Sequence, residues 1–153
     1  MSRLQLALNV DDLDASIAFY RKLFGTEPAK VREGYANFAV ADPPLKLVLI
    51  QNPGQGGSLN HLGVEVTDTE ALDLEQARIA EAGLSWLDER GSTCCYALQD
   101  KFWLQQTPNG ERWEIYTVLG DSDTFAGQYS DGDCRCCGTT TTLELTPSKT
   151  DCC

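Results

Sequence analysis

Residues 5–15 of this chain return in altered form at residues 61–71. Setting Gln5-Leu-Ala-Leu-Asn-Val-Asp-Asp-Leu-Asp-Ala15 over His61-Leu-Gly-Val-Glu-Val-Thr-Asp-Thr-Glu-Ala71 puts Leu6 on Leu62, Val10 on Val66, Asp12 on Asp68 and Ala15 on Ala71. Ala7/Gly63, Leu8/Val64 and Asp14/Glu70 are conservative pairs. Two like units in one chain of 153 residues leave room for little else, because a domain of ordinary size already fills that length.

Each copy opens on a period-two run, Leu4, Leu6, Leu8, Val10 and then Leu62, Val64, Val66, which reads as a strand with one face on a core. A helix follows. Asp11 or Asp12 caps the first, whose stripe is Leu13, Ile17, Tyr20 and Phe24, and Gly25 closes it. Asp68 caps the second, with Leu72 and Ile79 on one face and Gly83 at the end. Three strands are expected after each helix, near 27–32, Tyr35–Val40 and Leu45–Gln51, then near Leu84–Glu89, Tyr96–Gln106 and Arg112–Val118. Asp42-Pro43-Pro44 and Thr107-Pro-Asn-Gly110 supply turns, and Asn52–Gly57 links the copies. No Lys-Ser/Thr follows the linker glycines, which argues against a phosphate loop. Two tandem βαβββ modules, residues 1–52 and 58–120, are the signature of the α+β vicinal oxygen chelate fold, in which the sheets curl into a cup. Residues 121–153 read as an irregular, cysteine-bearing tail.

Strand alternation sorts the side chains. With Leu4, Leu6, Leu8 and Val10 on the helix, Gln5, Ala7 and Asn9 face the cup, and by the same rule so do His61, Gly63 and Glu65. Superposing the last strands of the modules sets Trp113-Glu114-Ile115 on Leu45-Lys46-Leu47, so Glu114 and Lys46 are expected inside the cup as well. A lone histidine at a strand start says little by itself. A carboxylate between Trp113 and Ile115 says more, because a buried charge needs a partner or a metal. Gln5, His61 and Glu114 together form a donor set for a divalent first-row metal, close to a two-histidine-one-carboxylate facial triad with an amide in place of one imidazole. Donor type alone allows iron(II) or manganese(II). Lys46, while protonated, cannot ligate and is expected to keep a fourth place empty.

Charge and composition narrow the partners. With 23 acidic against 12 basic residues the chain carries a formal charge of −11, which argues against nucleic acid and anionic membrane surfaces. No run of about 18 apolar residues is present to cross a membrane, and the N-terminal residues lack a signal-peptide pattern, so a reducing cytoplasm is the expected compartment. The cup is buildable within one chain or by exchange between two, so a homodimer is allowed.

Seven cysteines remain to be placed. Cys94 and Cys95 are adjacent, which makes a mutual disulfide strained and a zinc site poorly spaced. They suit chelation of a soft centre such as trivalent arsenic or cadmium, and the plainer reading is that they are small core residues. Cys134, Cys136, Cys137, Cys152 and Cys153 repeat this chemistry in the tail, as loose metal or metalloid scavengers or as an inert appendage.

Gln5-Leu-Ala-Leu-Asn-Val, Gly34-Tyr-Ala-Asn-Phe-Ala, Pro43-Pro-Leu-Lys-Leu-Val-Leu, Asn60-His-Leu-Gly-Val-Glu-Val, Thr93-Cys-Cys-Tyr-Ala and Glu111-Arg-Trp-Glu-Ile-Tyr occur in order. Over residues 1–125 the chain resembles the arsenic/cadmium-resistance branch of the vicinal oxygen chelate (glyoxalase/bleomycin resistance/dioxygenase) superfamily, which holds organoarsenical C–As lyases and cadmium-induced proteins. The resemblance implies an iron(II)-dependent enzyme that uses dioxygen to cleave the carbon–arsenic bond of trivalent organoarsenicals. It implies Gln5, His61 and Glu114 as metal ligands and Cys94 and Cys95 as the substrate-binding pair. It equally admits a non-catalytic, inducible protein that buffers soft metals with its thiols. Other chemistry of the superfamily, such as glyoxalase or ring-opening reactions, is disfavoured by Lys46 and by the cysteine pair.

Overall fold

A computed structural model describes residues 2–125. The order is β1 (Arg3–Val10), α1 (Leu13–Phe24), β2 (Lys30–Arg32), β3 (Tyr35–Val40), β4 (Leu45–Gln51), β5 (Leu59–Glu65), α2 (Thr69–Glu81), β6 (Trp86–Cys94), β7 (Ala97–Leu104) and β8 (Trp113–Asp121). This is βαβββ twice. The eight strands form one sheet in the order β2-β3-β4-β1-β5-β8-β7-β6, so both modules sit in one chain, joined where β1 and β5 run antiparallel.

The helix ends follow their caps. Asp12 accepts from the Ala15 amide at 2.9 Å, and Gly25 ends α1 in the left-handed region (φ 61°) that an L side chain resists. Asp68 accepts from Ala71 at 2.8 Å and starts α2 in the same way. The linker glycines are committed to structure, because the amides of Gly54 and Gly56 both donate to Asp11.

Each helix covers one half of the sheet. Val10, Leu13, Phe38, Val40, Leu47 and Leu49 form the core under α1, with Leu6 and Leu8 packed against it. Leu72, Ile79, Phe102 and Ile115 do the same under α2. Each such side chain contributes about 1.5–3 kcal/mol by leaving water. Leu4, expected on this face, is instead 46% exposed near the strand's start. The opposite face is buried too. Gln5, Ala7 and Asn9 are all below 10% exposed, and Ala7, Tyr35, Val48 and Ile50 make a third cluster there. Polar residues buried on a concave face define the cup. Ordered structure continues past residue 120, since β8 ends at Asp121 and Phe125 packs on Tyr35. The five tail cysteines lie outside the described residues.

Candidate metal centre

The β1–β5 ladder pairs Gln5 with Gly63 and Ala7 with His61, and Gly63 pairs in turn with Glu114 on β8. Gly63 is where side chains from three strands can meet. A Cβ there would lie 3.1 Å from Glu114 Cγ and 3.2 Å from Gln5 Nε2, so glycine leaves the space those two occupy. Gln5 Nε2 is 2.7 Å from Glu114 Oε1 and 3.0 Å from His61 Nε2, and His61 Nε2 is 3.3 Å from Glu114 Oε1. The three expected residues converge, each buried.

A hydrogen-bonded chain orients the imidazole. Asn60 Nδ2 donates to Asn9 Oδ1 at 3.0 Å, which turns Asn60 Oδ1 toward His61 Nδ1 at 2.7 Å. In the neutral ring Nδ1 therefore carries the hydrogen and Nε2 turns its lone pair to the centre, the arrangement of a metal-ligating histidine.

Burial alone would raise the Glu114 carboxyl. The Lys101 ammonium, the neighbouring His61 ring and the hydrogen bond from Gln5 together outweigh burial and hold it well below the usual carboxylate range. Lys101 Nζ lies 3.4 Å from Glu114 Oε2 and 3.7 Å from Glu89 Oε2. Burial pushes Lys101 down, but Glu114, Cys95 and Glu89 together raise it, so it stays charged.

Lys46 is placed differently from expectation. Its ammonium bonds Glu65 Oε2 at 3.1 Å, and the cation on Glu114 is Lys101. The ladder explains why. Ala7 pairs with Val48, while its repeat mate Gly63 pairs with Glu114, so the counterpart of Glu114 is Val48, two residues beyond Lys46. The fourth place of the site is thus held by a buried valine. Tyr116 and Glu65, which strand alternation puts on the cup face without assigning them a role, also belong to the site. Tyr116 Oη stands 2.5 Å from Gln5 Oε1 and 2.7 Å from Glu65 Oε2. Burial and the charges of Glu65 and Glu114 push the Tyr116 hydroxyl well above its ordinary value, so it keeps its proton. The signal for Lys101 lay in the strand alternation of Gln99, Lys101 and Trp103, which puts all three on the cup face.

Do these residues fit a divalent metal? Among the described residues no three His, Cys, Asp or Glu side chains converge to hold a metal, so a centre here would take the Gln5 amide as its third donor. Gln5 Nε2, His61 Nε2 and Glu114 Oε1 lie 2.7–3.3 Å apart, which brackets the ~3.0 Å between neighbouring ligands that octahedral bonds of ~2.1 Å require. The spacing therefore suits a metal once the amide oxygen takes the place its nitrogen holds here. Among the described residues Gln99 Oε1, Trp103 Nε1 and Ser92 Oγ are buried without a hydrogen-bond partner, and the buried Glu114 Oε2 meets the Lys101 ammonium as an ion pair. Ser92 stands opposite Gln99, so all four line the cup. The donor set fits a divalent cation, and the cup fits a polar ligand.

Cys94 and Cys95 close one side. Cys95 and Tyr96 are the two central residues of the β6–β7 hairpin, between the paired Cys94 and Ala97. Both have positive φ (54° and 60°), a backbone that suits glycine or asparagine and strains these side chains. The turn is held by the Cys95 amide donating to Phe125 O at 2.6 Å, by Tyr96 Oη donating to Glu33 O at 3.0 Å, and by the Tyr35, Tyr96 and Phe125 rings. Cys95 packs beside Ala7, Tyr35, Val48 and Ile50, on the same cup wall as Gln5. Its Sγ is 3.3 Å from that of Cys94, far beyond the ~2.05 Å of a mutual disulfide.

A curled sheet of two βαβββ modules, with Gln5, His61 and Glu114 gathered in its cup, defines the vicinal oxygen chelate fold. Residues 3–115 match the model of the Glyoxalase/Bleomycin resistance protein/Dioxygenase superfamily, and the chain belongs to it. It is 60% identical over 142 residues to a cadmium-induced protein, CadI, of Mycobacterium tuberculosis strain H37Rv, covering 90% of this chain and 93% of that one. It is 56% identical over 138 residues to a trivalent organoarsenical cleaving enzyme of Thermomonospora curvata, covering 90% and 89%. Among solved structures, an extradiol ring-cleaving dioxygenase from B. fuscum shares the fold at a TM-score of 0.54 and 20% identity, over 79% of this chain and 34% of that one. No described helix is long and apolar enough to cross a membrane.

Proposed function

We propose that the chain is an iron(II)-dependent C–As lyase, acting in the reducing cytoplasm, that cleaves methylarsenite with dioxygen to arsenite. One oxygen atom replaces the methyl group on arsenic and the other leaves with its carbon as formaldehyde, a stoichiometry that needs no outside electrons. The observation that carries this reading is the placement of Cys95 on the wall of the cup that gathers Gln5, His61 and Glu114, with the sulfur of Cys94 3.3 Å from its own. The 56% identity to an organoarsenical cleaving enzyme supports it.

Two thiols of reduced protein exchange for the two hydroxyls of methylarsenite, forming two S–As bonds and releasing two waters. Cys94 is disulfide-bonded in this structure, so capture by the pair requires its reduction first. Binding two sulfurs fixes the remaining As–C bond in the cup, which converts a collision into a positioned reaction. Gln5, His61 and Glu114 would hold the iron, which supplies activation of dioxygen when bound. Manganese(II) or another divalent metal suits the same donors. Lys101 keeps Glu114 ionised and balances thiolate charge at Cys95, while Trp103, against His61 at 5.6 Å, helps keep the centre dry.

The test is anaerobic loading with iron(II), then methylarsenite and air, with arsenic speciation over time. Arsenite formation is the expected result. A second reading, a non-catalytic soft-metal buffer, is favoured by the 60% identity to a cadmium-induced protein. It prevails if no arsenite forms while arsenical or cadmium still binds through thiols.

A further inference from the structure

The Gln5 amide faces the centre with the wrong end for a metal. Nε2 points at Glu114 and His61, and the oxygen points back at Tyr116. An amide ligates through oxygen, since its nitrogen has no free lone pair. We propose that Tyr116 is a positioning residue that lets the Gln5 amide turn over when metal binds, an inference that rests on the metal reading above.

The argument is a count of hydrogens. With the amide nitrogen inward, its two hydrogens satisfy His61 Nε2 and Glu114 Oε1. The hydroxyl of Tyr116 then has one hydrogen and two acceptors, Gln5 Oε1 at 2.5 Å and Glu65 Oε2 at 2.7 Å. It can satisfy only one of them at a time. Glu65 tolerates this because Lys46 and Arg3 also donate to it, at 3.1 and 2.9 Å. With the amide turned over, its nitrogen donates to Tyr116 Oη, and Tyr116 donates its hydrogen to Glu65. Both bonds are then made at once, and the amide oxygen faces His61 and Glu114. The Tyr116 hydroxyl therefore contributes one hydrogen bond to the metal-free arrangement and two to the metal-binding one. Among the described residues no other side chain donates to Gln5 Oε1. The buried chain Lys46–Glu65–Tyr116–Gln5 carries Lys46, which does not reach the centre, into its chemistry at one remove.

The consequence is that Tyr116→Phe weakens metal binding although it removes no ligand. One charge-assisted hydrogen bond of difference corresponds to a loss of roughly tenfold. Gln5→Glu provides the control, because a carboxylate presents oxygen at both ends and has no wrong orientation. In that background Tyr116→Phe removes the same single bond with or without metal. The measurement is an anaerobic cobalt(II) titration of the full chain, read by visible absorption, on the wild type, Tyr116→Phe, Gln5→Glu and the double variant. The expected result is a five- to tenfold weaker Kd in the glutamine background and less than twofold in the glutamate background. Equal losses in both backgrounds, or a change below twofold in the first, overturn the proposal while leaving the metal centre standing. Cobalt binding that survives both His61→Ala and Glu114→Ala overturns the metal centre itself.

Discussion

Lys101 Nζ stands 3.4 Å from Glu114 Oε2, and both side chains are sealed from water. The ion pair sets the charge of the centre before any metal arrives, because Glu114 is held ionised in a place where burial would protonate it. Removing one partner of such a pair leaves the other charge uncompensated, at a cost of about 3–5 kcal/mol. Lys101→Met, which keeps the side chain's bulk, should lose that much in urea unfolding of metal-free protein. Part of the loss should return in cobalt(II)-loaded protein, where a cation again faces Glu114. Identical losses with and without metal would place the metal elsewhere.

Gly63 is the second lever. Its missing Cβ is space that Glu114 Cγ and Gln5 Nε2 use. Gly63→Ala adds a methyl to a filled site, and neither neighbour can withdraw without separating the donors. The expected cost is about 1–3 kcal/mol of stability, with cobalt(II) affinity lowered by about tenfold or more, as for other supporting-shell changes. Titration and urea unfolding on the same preparation separate the two effects. Unchanged affinity would mean that the glycine does not shape the centre.

The elements were legible where chemistry is local. Asp12, Gly25 and Asp68 mark helix ends by capping alone, and β3 and β4 follow directly from their apolar runs. The convergence of Gln5, His61 and Glu114 was legible because alternation decides which face a strand residue takes. What failed was register. The stretch around Lys46 shares no residue identities with that around Glu114, so a two-residue slip keeps every side chain on its face and passes unnoticed. Only the ladder shows that Val48 is the true counterpart. The pairings of Lys101 with Glu114 and of Tyr116 and Lys46 with Glu65 were not legible either, since the partners lie across strands. The Cys95–Tyr96 turn has no glycine or asparagine to announce it, and its positive φ angles are imposed by tertiary contacts.

Acid should unfold the metal-free protein through two carboxylates. Glu65 and Glu114 both titrate below their ordinary value of 4.5: burial is the largest single influence and raises each, but Lys46, Tyr116 and Arg3 on one, and Lys101, His61 and Gln5 on the other, together outweigh it. A depressed carboxylate stabilises the fold above its unfolded-state value and loses that contribution as pH falls through the folded one. Stability should therefore be level above pH 4.5 on their account and decline below it. Glu114→Gln should flatten that decline, as measured by thermal unfolding across an acid series. An unchanged slope would mean that the pair with Lys101 adds nothing to acid stability.

The thiol pair separates the enzyme from the metal buffer. Bonds of ~2.3 Å at tetrahedral angles set two sulfurs about 3.8 Å apart, as around zinc. At the 3.3 Å found with Cys94 still in its disulfide, the Cys94 and Cys95 sulfurs subtend about a right angle at such a centre, the shape of a pyramidal atom with a lone pair. The strained hairpin holds them there, so widening the bite costs further strain. Reduced protein should accordingly bind methylarsenite more tightly than cadmium(II) at this pair, in a competition followed by arsenic and cadmium retained after desalting. Cys94→Ser should abolish arsenical capture at the pair and turnover together. Glu114→Ala should abolish turnover and leave capture within about twofold, since Glu114 touches neither sulfur. Full turnover in Cys94→Ser would remove thiol capture from the reaction, and tighter cadmium binding at the pair would move the chain to the buffering role.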